Sequence, residues 1–533
     1  MNENINKTPD NLVAKSGLLA GMNSIMAVAS MTMILGFLGF TIIDVEYASE
    51  VFTKMKDFII GSLGWFYVLV ISGILFFVIW LLFSRFGNLK LGKDDDTPDF
   101  STFSWICMLF SAGLGSGLIY WGVAEPIYHI QDNPFLAMAG VEPNSVEAAV
   151  VALRVTVFHW GLHGWALYVL VGLCLAYFSY RYDLPLTLRT ALYPVLKDRI
   201  YGSWGHAIDL IGVFGTIFGL ATSLGMGVVA INAGIENLLG FANNTPNQLI
   251  MIAIITAMGT ASAASGVGKG VRILSEMNVW LSLLLLLAFL FLAPTAFILG
   301  LLITTTGDYL WNVIPMGFWI DSQPDRQWQS WWTIFYWGWW IAWCPFVGMF
   351  IARISKGRTV REFCTCVLII PSSVVLLWMC VFGGGAIGIE MIRDGGIVEA
   401  VNADYALGVF KTIQGMSIEW LVFPLTCLTT FLLISWFVTS SDSGTLVMCT
   451  MLSMGNESPP IKFRIFWGVT SGVVGGVLLF AGGLNALQTA SIVAGLPIAV
   501  MLIFMAYGLV KALNEDCPAP DVLDSREKMY LNR

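Results

Sequence analysis

The stretch FYWGWWIAWCPF at 335–346 sets four tryptophans beside a proline, and FHWGLHGWALY at 158–168 adds two tryptophans and a tyrosine. On a helix, Trp337, Trp340 and Trp343 fall near one face, and Trp339 and Trp343 are four apart. Trp165 and Tyr168 share a face close to Trp160. Rings gathered in this way can hold a quaternary ammonium. Such a group has no N–H to donate, but each desolvated π face attracts it by roughly 0.5–2 kcal/mol. The competing readings are an interfacial aromatic belt and plain packing. Trp160, Trp165, Trp340 and Trp343 lie deep within apolar runs, which disfavours the belt. Few ionisable residues fall in those runs: Glu125, Arg154, Glu276 and Asp442 are the notable ones, most of them near the ends. A net cation favours a carboxylate beside the rings, and the glycine-rich stretch SAGLGSG at 111–117 offers none. A zwitterion brings its own anion, which the free N–H groups of a broken helix can accept. The residues therefore point to a methylated zwitterion.

Other groups carry weaker signals. His159 and His163 are four apart, a spacing suited to a metal or haem, but the chain has only four histidines and no second matching pair. The stretch WFVTSSDSGT at 436–445 holds Thr439, Ser440, Ser441 and Ser443. These hydroxyls suit either interhelical hydrogen bonds or a hard cation such as sodium, completed by carbonyls of unwound helix. Cys364 and Cys366 form a CxC inside an apolar run and read as packing residues.

The elements that must position these groups are membrane spans. The chain has 533 residues, of which 57% are hydrophobic and 12% charged, with a mean hydropathy of +0.77. Apolar runs of ~20 residues, the length that crosses a bilayer core, recur throughout. We place twelve spans near 18–42, 58–83, 102–128, 146–179, 206–236, 247–265, 272–303, 328–353, 362–389, 418–450, 463–482 and 486–511. The alternating ~10-residue segments of a membrane β-barrel are missing. Residues 1–17 are polar, without a cleavable signal pattern, and 512–533 form a second short tail. With both ends on one side, that side collects Lys7, Lys15, Arg85, Lys90, Lys93, Arg181, Arg189, Lys197, Arg199, Lys269, Arg272, Arg353, Lys356, Arg358, Arg361, Lys462, Arg464 and Lys511. The other side has only Lys54, Lys56, Arg326, Arg393 and Lys411. By the positive-inside rule both termini are cytoplasmic. A net charge of −8 without a basic stripe argues against nucleic acid. Residues 306–325 read as a short interfacial helix on the outer surface.

Two spans carry breaks. Span 3 has Gly113, Gly115 and Gly117; span 8 has Pro345. Glycine permits unwinding and proline removes a helical hydrogen bond. Interrupted spans at corresponding positions point to a transporter of two inverted repeats with its substrate at the midplane. The expected fold is thus an all-α polytopic membrane protein whose spans 3–7 and 8–12 form two inverted five-helix repeats, preceded by two extra helices. A membrane redox enzyme using the two histidines, or a channel, is the rival class.

The motifs FYWGWWIAWCPFVGMFIARISKGRTVREF, SAGLGSGLIYWGVAEP and FHWGLHGWALY resemble the betaine/choline/carnitine transporter family, and the resemblance runs over all twelve spans. It implies a sodium-coupled symporter of the bacterial cytoplasmic membrane, often a homotrimer, with no cofactor besides the coupling ion. It also implies an aromatic cage of Trp160, Trp165, Tyr168, Trp340 and Trp343, with Trp337 and Trp339 near the pathway and Gly113, Gly115 and Gly117 as the flexible stretch. The sodium site maps to Ser111, Leu114, Trp436, Thr439 and Ser440. Sodium-independent carnitine exchangers place an arginine where Asn278 stands. A second sodium site matches at Thr216 and Phe346, but its other threonine position holds Leu220. Choline carriers tend to have an aspartate in place of Gly117. The implied substrate is glycine betaine or a similar zwitterion. Carnitine or butyrobetaine exchange, choline uptake and dimethylsulfoniopropionate uptake are the alternatives.

Overall fold

The computed structural model describes residues 12–113, 115–265, 268–322 and 327–518, with side chains for all of these except 110–113, 116 and 268–273. Leu114, most of both predicted tails and Arg326 lie outside the described residues. Within them there are helices and a single isolated bridge, Lys90 to Thr359. That is the expected outcome for apolar chain in hydrocarbon, where every backbone N–H and C=O must be satisfied within its own segment. Side chains mark several helix starts. Asn23 caps span 1 through Met26 N, Ser145 caps span 4 through Ala148 N, and Thr359 caps span 9 through Glu362 N.

Eleven described helices are long and apolar enough to cross a membrane. One of them, Ile461–Asp516, is two spans joined at Gly482 and Gly483, whose backbone is not helical. Span 3 consists of two shorter halves, Thr102–Gly113 and Ser116–Gln131. The helix Thr295–Gly317 does not cross. Pro294, at its start, packs on Gly388 near the Arg393 end of span 9. Trp319, just past its end, packs on Phe135 in the connection between spans 3 and 4, with ring centroids 4.9 Å apart. Both ends therefore lie on the face poor in lysine and arginine. Its buried residues Ile298, Leu301, Thr305 and Tyr309 line one side only. Twelve crossings result, as the sequence predicts, with two corrections. Span 7 ends at Leu292, because Pro294 interrupts what reads as one apolar run to 303, and the short interfacial helix becomes this longer lateral helix.

The basic face is tied together by its own loops. Lys93 pairs with Asp183, Arg181 with Asp94 and Arg353 with Glu457. The packing repeats five spans apart. Span 8 lies on span 4 as span 3 lies on span 9, and span 7 lies on span 10 as span 12 lies on span 5. Five is an odd number, so the two repeats run in opposite directions through the membrane. At the centre are spans 4, 5 and 8, whose most apolar stretches are 94%, 83% and 94% buried, against 28% for span 1 and 22% for span 7.

The predicted break at Pro345 is a third point of correction. Span 8 runs as helix through Phe335–Arg353, with the proline inside it. The break occurs in span 4 instead. Val146–Trp160 ends and Leu162–Ala176 begins around Gly161, at φ −94°, ψ −133°. A Cβ on Gly161 would lie 2.6 Å from the Val157 carbonyl oxygen and 3.0 Å from Tyr309 Oη, which is why a glycine stands there.

Candidate binding site

The broken spans and span 8 meet around one small cavity. It is lined by Gly115 and Gly117 of span 3, Trp160 and Tyr168 of span 4, Ser223 of span 5, Trp339, Trp340 and Trp343 of span 8, and Phe437 and Ser440 of span 10. Trp160 stands at 85° to Trp339 and 79° to Trp340, with centroids 5.7 and 6.0 Å apart. Tyr168 lies 5.1 Å from Trp340. The cavity volume is about 40 Å³, room for little more than water, so a trimethylammonium group requires the rings to part.

Each ring is seated by backbone. A Cβ on Gly164 would touch Trp340 Cδ2 and Cε2 at 2.6 Å, and one on Gly219 would touch Trp343 Cδ1 at 2.5 Å. The Trp340 indole N–H donates to the His159 carbonyl at 2.8 Å, just before the span-4 break. Beyond the break, the Leu162 N–H donates to Tyr309 Oη at 3.2 Å. Gly117 faces the rings, and a Cβ there would lie 3.0 Å from Trp339 and 3.1 Å from Trp160.

The sequence-predicted residues divide accordingly. Trp160, Tyr168, Trp339, Trp340, Trp343, Gly115 and Gly117 come together at the cavity. Trp165 is fully buried behind it, 6.0 Å from Trp340 and 5.5 Å from Tyr168. Trp337 points away and stacks on His163 at 5.6 Å. The side chain of Ser111 and the whole of Leu114 lie outside the described residues. Ser223 and Phe437 line the cavity although neither was singled out, Phe437 lying within the stretch 436–445 that was read for its hydroxyls. Ser223 accepts from the Trp339 indole N–H at 3.3 Å, and its signal was the small-residue run GLATSLGMG around it.

The glycine stretch brings no carboxylate to the rings, but one stands beside them from further along span 3. Glu125 Oε2 accepts from the Trp160 indole N–H at 2.9 Å and from the Tyr336 hydroxyl at 2.5 Å. Its Oε1 lies 2.6 Å from His159 Nδ1 and 3.4 Å from His129 Nε2. His159 Nε2 is 3.0 Å from Thr333 Oγ1. Glu125, His129 and His159 are close enough together to hold a metal ion, but the carboxylate is already surrounded by donors, which makes the group a hydrogen-bonded hub between spans 3, 4 and 8. His163, the other half of the predicted pair, is not in it.

At span 10, the Thr439 hydroxyl donates to the Trp436 carbonyl at 2.8 Å and the Ser435 carbonyl at 3.2 Å. The Ser440 hydroxyl borders the cavity, 3.9 Å from where a Cβ on Gly115 would sit. Ser435 Oγ bonds Asn278 Oδ1 at 2.5 Å, and Trp436 Nε1 bonds Ser282 at 3.1 Å, so span 7 braces this segment. Thr216 donates to the Gly212 carbonyl at 2.8 Å. Phe346 packs on Trp343 at 5.4 Å. Leu220 packs on Gly444 and brings no oxygen to that region.

A polytopic bundle of two opposed five-helix units, with an aromatic cavity where broken helices cross, is an architecture suited to a membrane transporter of small solutes. The sequence matches the model for the BCCT, betaine/carnitine/choline family transporter, over residues 25–518. A probable glycine betaine transporter of Desulfitobacterium hafniense is 41% identical, covering 89% of this chain and 94% of that one. The glycine betaine transporter of Bacillus subtilis is 39% identical (89% and 91%), and an osmo-dependent choline transporter of Acinetobacter baylyi is 39% identical (92% and 71%). The chain belongs to the betaine/carnitine/choline transporter family.

Proposed function

We propose that the protein imports a quaternary-ammonium or sulfonium zwitterion such as glycine betaine by sodium symport with alternating access. The observation that carries this reading is the convergence of Trp160, Tyr168, Trp339, Trp340 and Trp343 on one cavity opposite the span-3 glycines. The rings take the methylated cation. The carboxylate goes to the N–H groups that open the second half of span 3 at Ser116–Gln131. Thr439 and Ser440 supply hydroxyl oxygens to sodium, which enters as a co-substrate, with carbonyls at the end of Thr102–Gly113 completing its shell. Sodium and substrate then share one seam between spans 3 and 10, and each favours the same arrangement of it. Leu220 leaves a second sodium at Thr216 and Phe346 short of a ligand. By the distribution of lysine and arginine, the basic face is cytoplasmic in a bacterial inner membrane. A homotrimer follows from the family pattern, and cross-linking in membranes tests it.

A second reading, a choline carrier, draws on Glu125, because a carboxylate behind Trp160 suits a net cation as well. Against it, Gly117 leaves no acidic group facing the cavity. Exchange of carnitine is disfavoured by Asn278. Uptake of glycine betaine into proteoliposomes decides among them. Sodium-driven accumulation is expected; uptake only against preloaded substrate would overturn symport, and uptake of choline in preference to glycine betaine would favour the second reading.

A further inference from the structure

Glu125 is fully buried, and its carboxylate is bonded by His159 and Trp160 of span 4 and Tyr336 of span 8. The indole N–H of Trp160 can only donate. The Tyr336 contact of 2.5 Å and the His159 contact of 2.6 Å are as short as bonds to an ionised acceptor. Neither ring nitrogen of His129 has a hydrogen-bond partner among the described residues. His159 Nε2 faces the Thr333 hydroxyl, which can donate or accept there. Arg154 is paired with Asp308 at 3.0 Å.

Trp160 spans the distance from this carboxylate to the cavity. Its N–H end is held by Glu125, and its six-membered edge borders Gly117 and Trp339. Donating a hydrogen bond to an anion pushes electron density into the ring, and a low-dielectric interior strengthens the effect. A more electron-rich face binds a cation better. The anion's own field, one indole away, acts in the same sense. We propose that Glu125 is a specificity-determining residue that makes the cavity prefer a positively charged headgroup over a neutral one of the same shape, acting through Trp160 without touching the substrate. This rests on the cavity being the onium site.

The test compares two ligands on purified full-length protein: glycine betaine and its carbon isostere 3,3-dimethylbutanoate, which has the same shape and carboxylate but an uncharged head. Glu125→Gln keeps an acceptor for Trp160 and removes the charge. Affinity for glycine betaine is expected to fall roughly tenfold, the scale of one desolvated cation–π contact, while affinity for the isostere changes little. An equal fall for both ligands, or no fall for either, overturns the proposal, since a purely structural role does not distinguish them. If the glutamine variant has no cooperative thermal melt, Glu125→Asp replaces it. That change draws the carboxylate back from the Trp160 N–H by one methylene and leaves every ring in place, and the same selective loss is expected, an equal loss again overturning the proposal. Trp340→Ala run alongside separates the two readings: unchanged glycine betaine binding there removes the cavity assignment itself, whatever Glu125 does.

Discussion

Trp340 holds its place because Gly164 has no side chain and the His159 carbonyl accepts its N–H. The ring's function and its seating are therefore separable. Trp340→Ala and Trp343→Ala are each expected to weaken glycine betaine binding by roughly threefold to thirtyfold, the range of a lost cation–π partner, as read by tryptophan-quench titration. Gly164→Ala leaves every ring present but pushes a methyl into Trp340. It should lower both affinity and thermal stability, by about 1–3 kcal/mol for an overpacked interior, measured by the same titration and by a melt. The aromatic residues of this site were visible in the sequence by type and number. Which of them face the cavity was not. Span 8 is buried all round, so it has no polar face to orient it, and helical spacing alone groups Trp337 with Trp340 when Trp337 points to His163. The role of Glu125 was hidden for a related reason: three bonds from spans 4 and 8 converge on it, and none of them is local in sequence.

At the scale of helices, the break in span 4 does what Pro345 was expected to do in span 8. Proline in a well-packed helix costs one hydrogen bond and bends little when neighbours fill around it. Gly161 carries a backbone conformation that frees two groups, the His159 carbonyl and the Leu162 N–H, and gives each a partner. A lone glycine between HW and LHG gives no warning of this. Gly161→Ala should favour closing the break into continuous helix, releasing Trp340 from His159. Raised Km for uptake with normal membrane insertion is the expected result, and an unchanged Km would mean that the break is only a packing feature. The glycine alternation in span 3, by contrast, was legible, because three glycines in five residues seldom sit in unbroken helix.

For the whole molecule, twelve crossings followed from apolar runs and the charge bias, both of which are summed over many residues and tolerate errors of boundary, whereas the two repeats were read from paired breaks in spans 3 and 8, of which the structure keeps only the first. The lateral helix Thr295–Gly317 escaped because it is as apolar as a true span, and only its packing keeps it on one face. Coupling also belongs to this scale, since it joins a local site to a global exchange of states. Thr439→Ala should leave the fold intact and flatten the dependence of uptake on sodium, with the half-saturating sodium concentration rising by roughly tenfold, for one charge-assisted oxygen lost. Uptake that keeps its sodium dependence in this variant would move the ion elsewhere.

The lateral helix grips span 4 on both sides of its break: Asp308 holds Arg154 before it, and Tyr309 holds Leu162 after it. Its far edge, with Trp311 and Ile303, is bare. Helix and span 4 are thus fastened on either side of the break, and span 4 in turn holds Trp340 through the His159 carbonyl. A continuous line of bonds therefore runs from the bare rim of the molecule to the wall of the cavity.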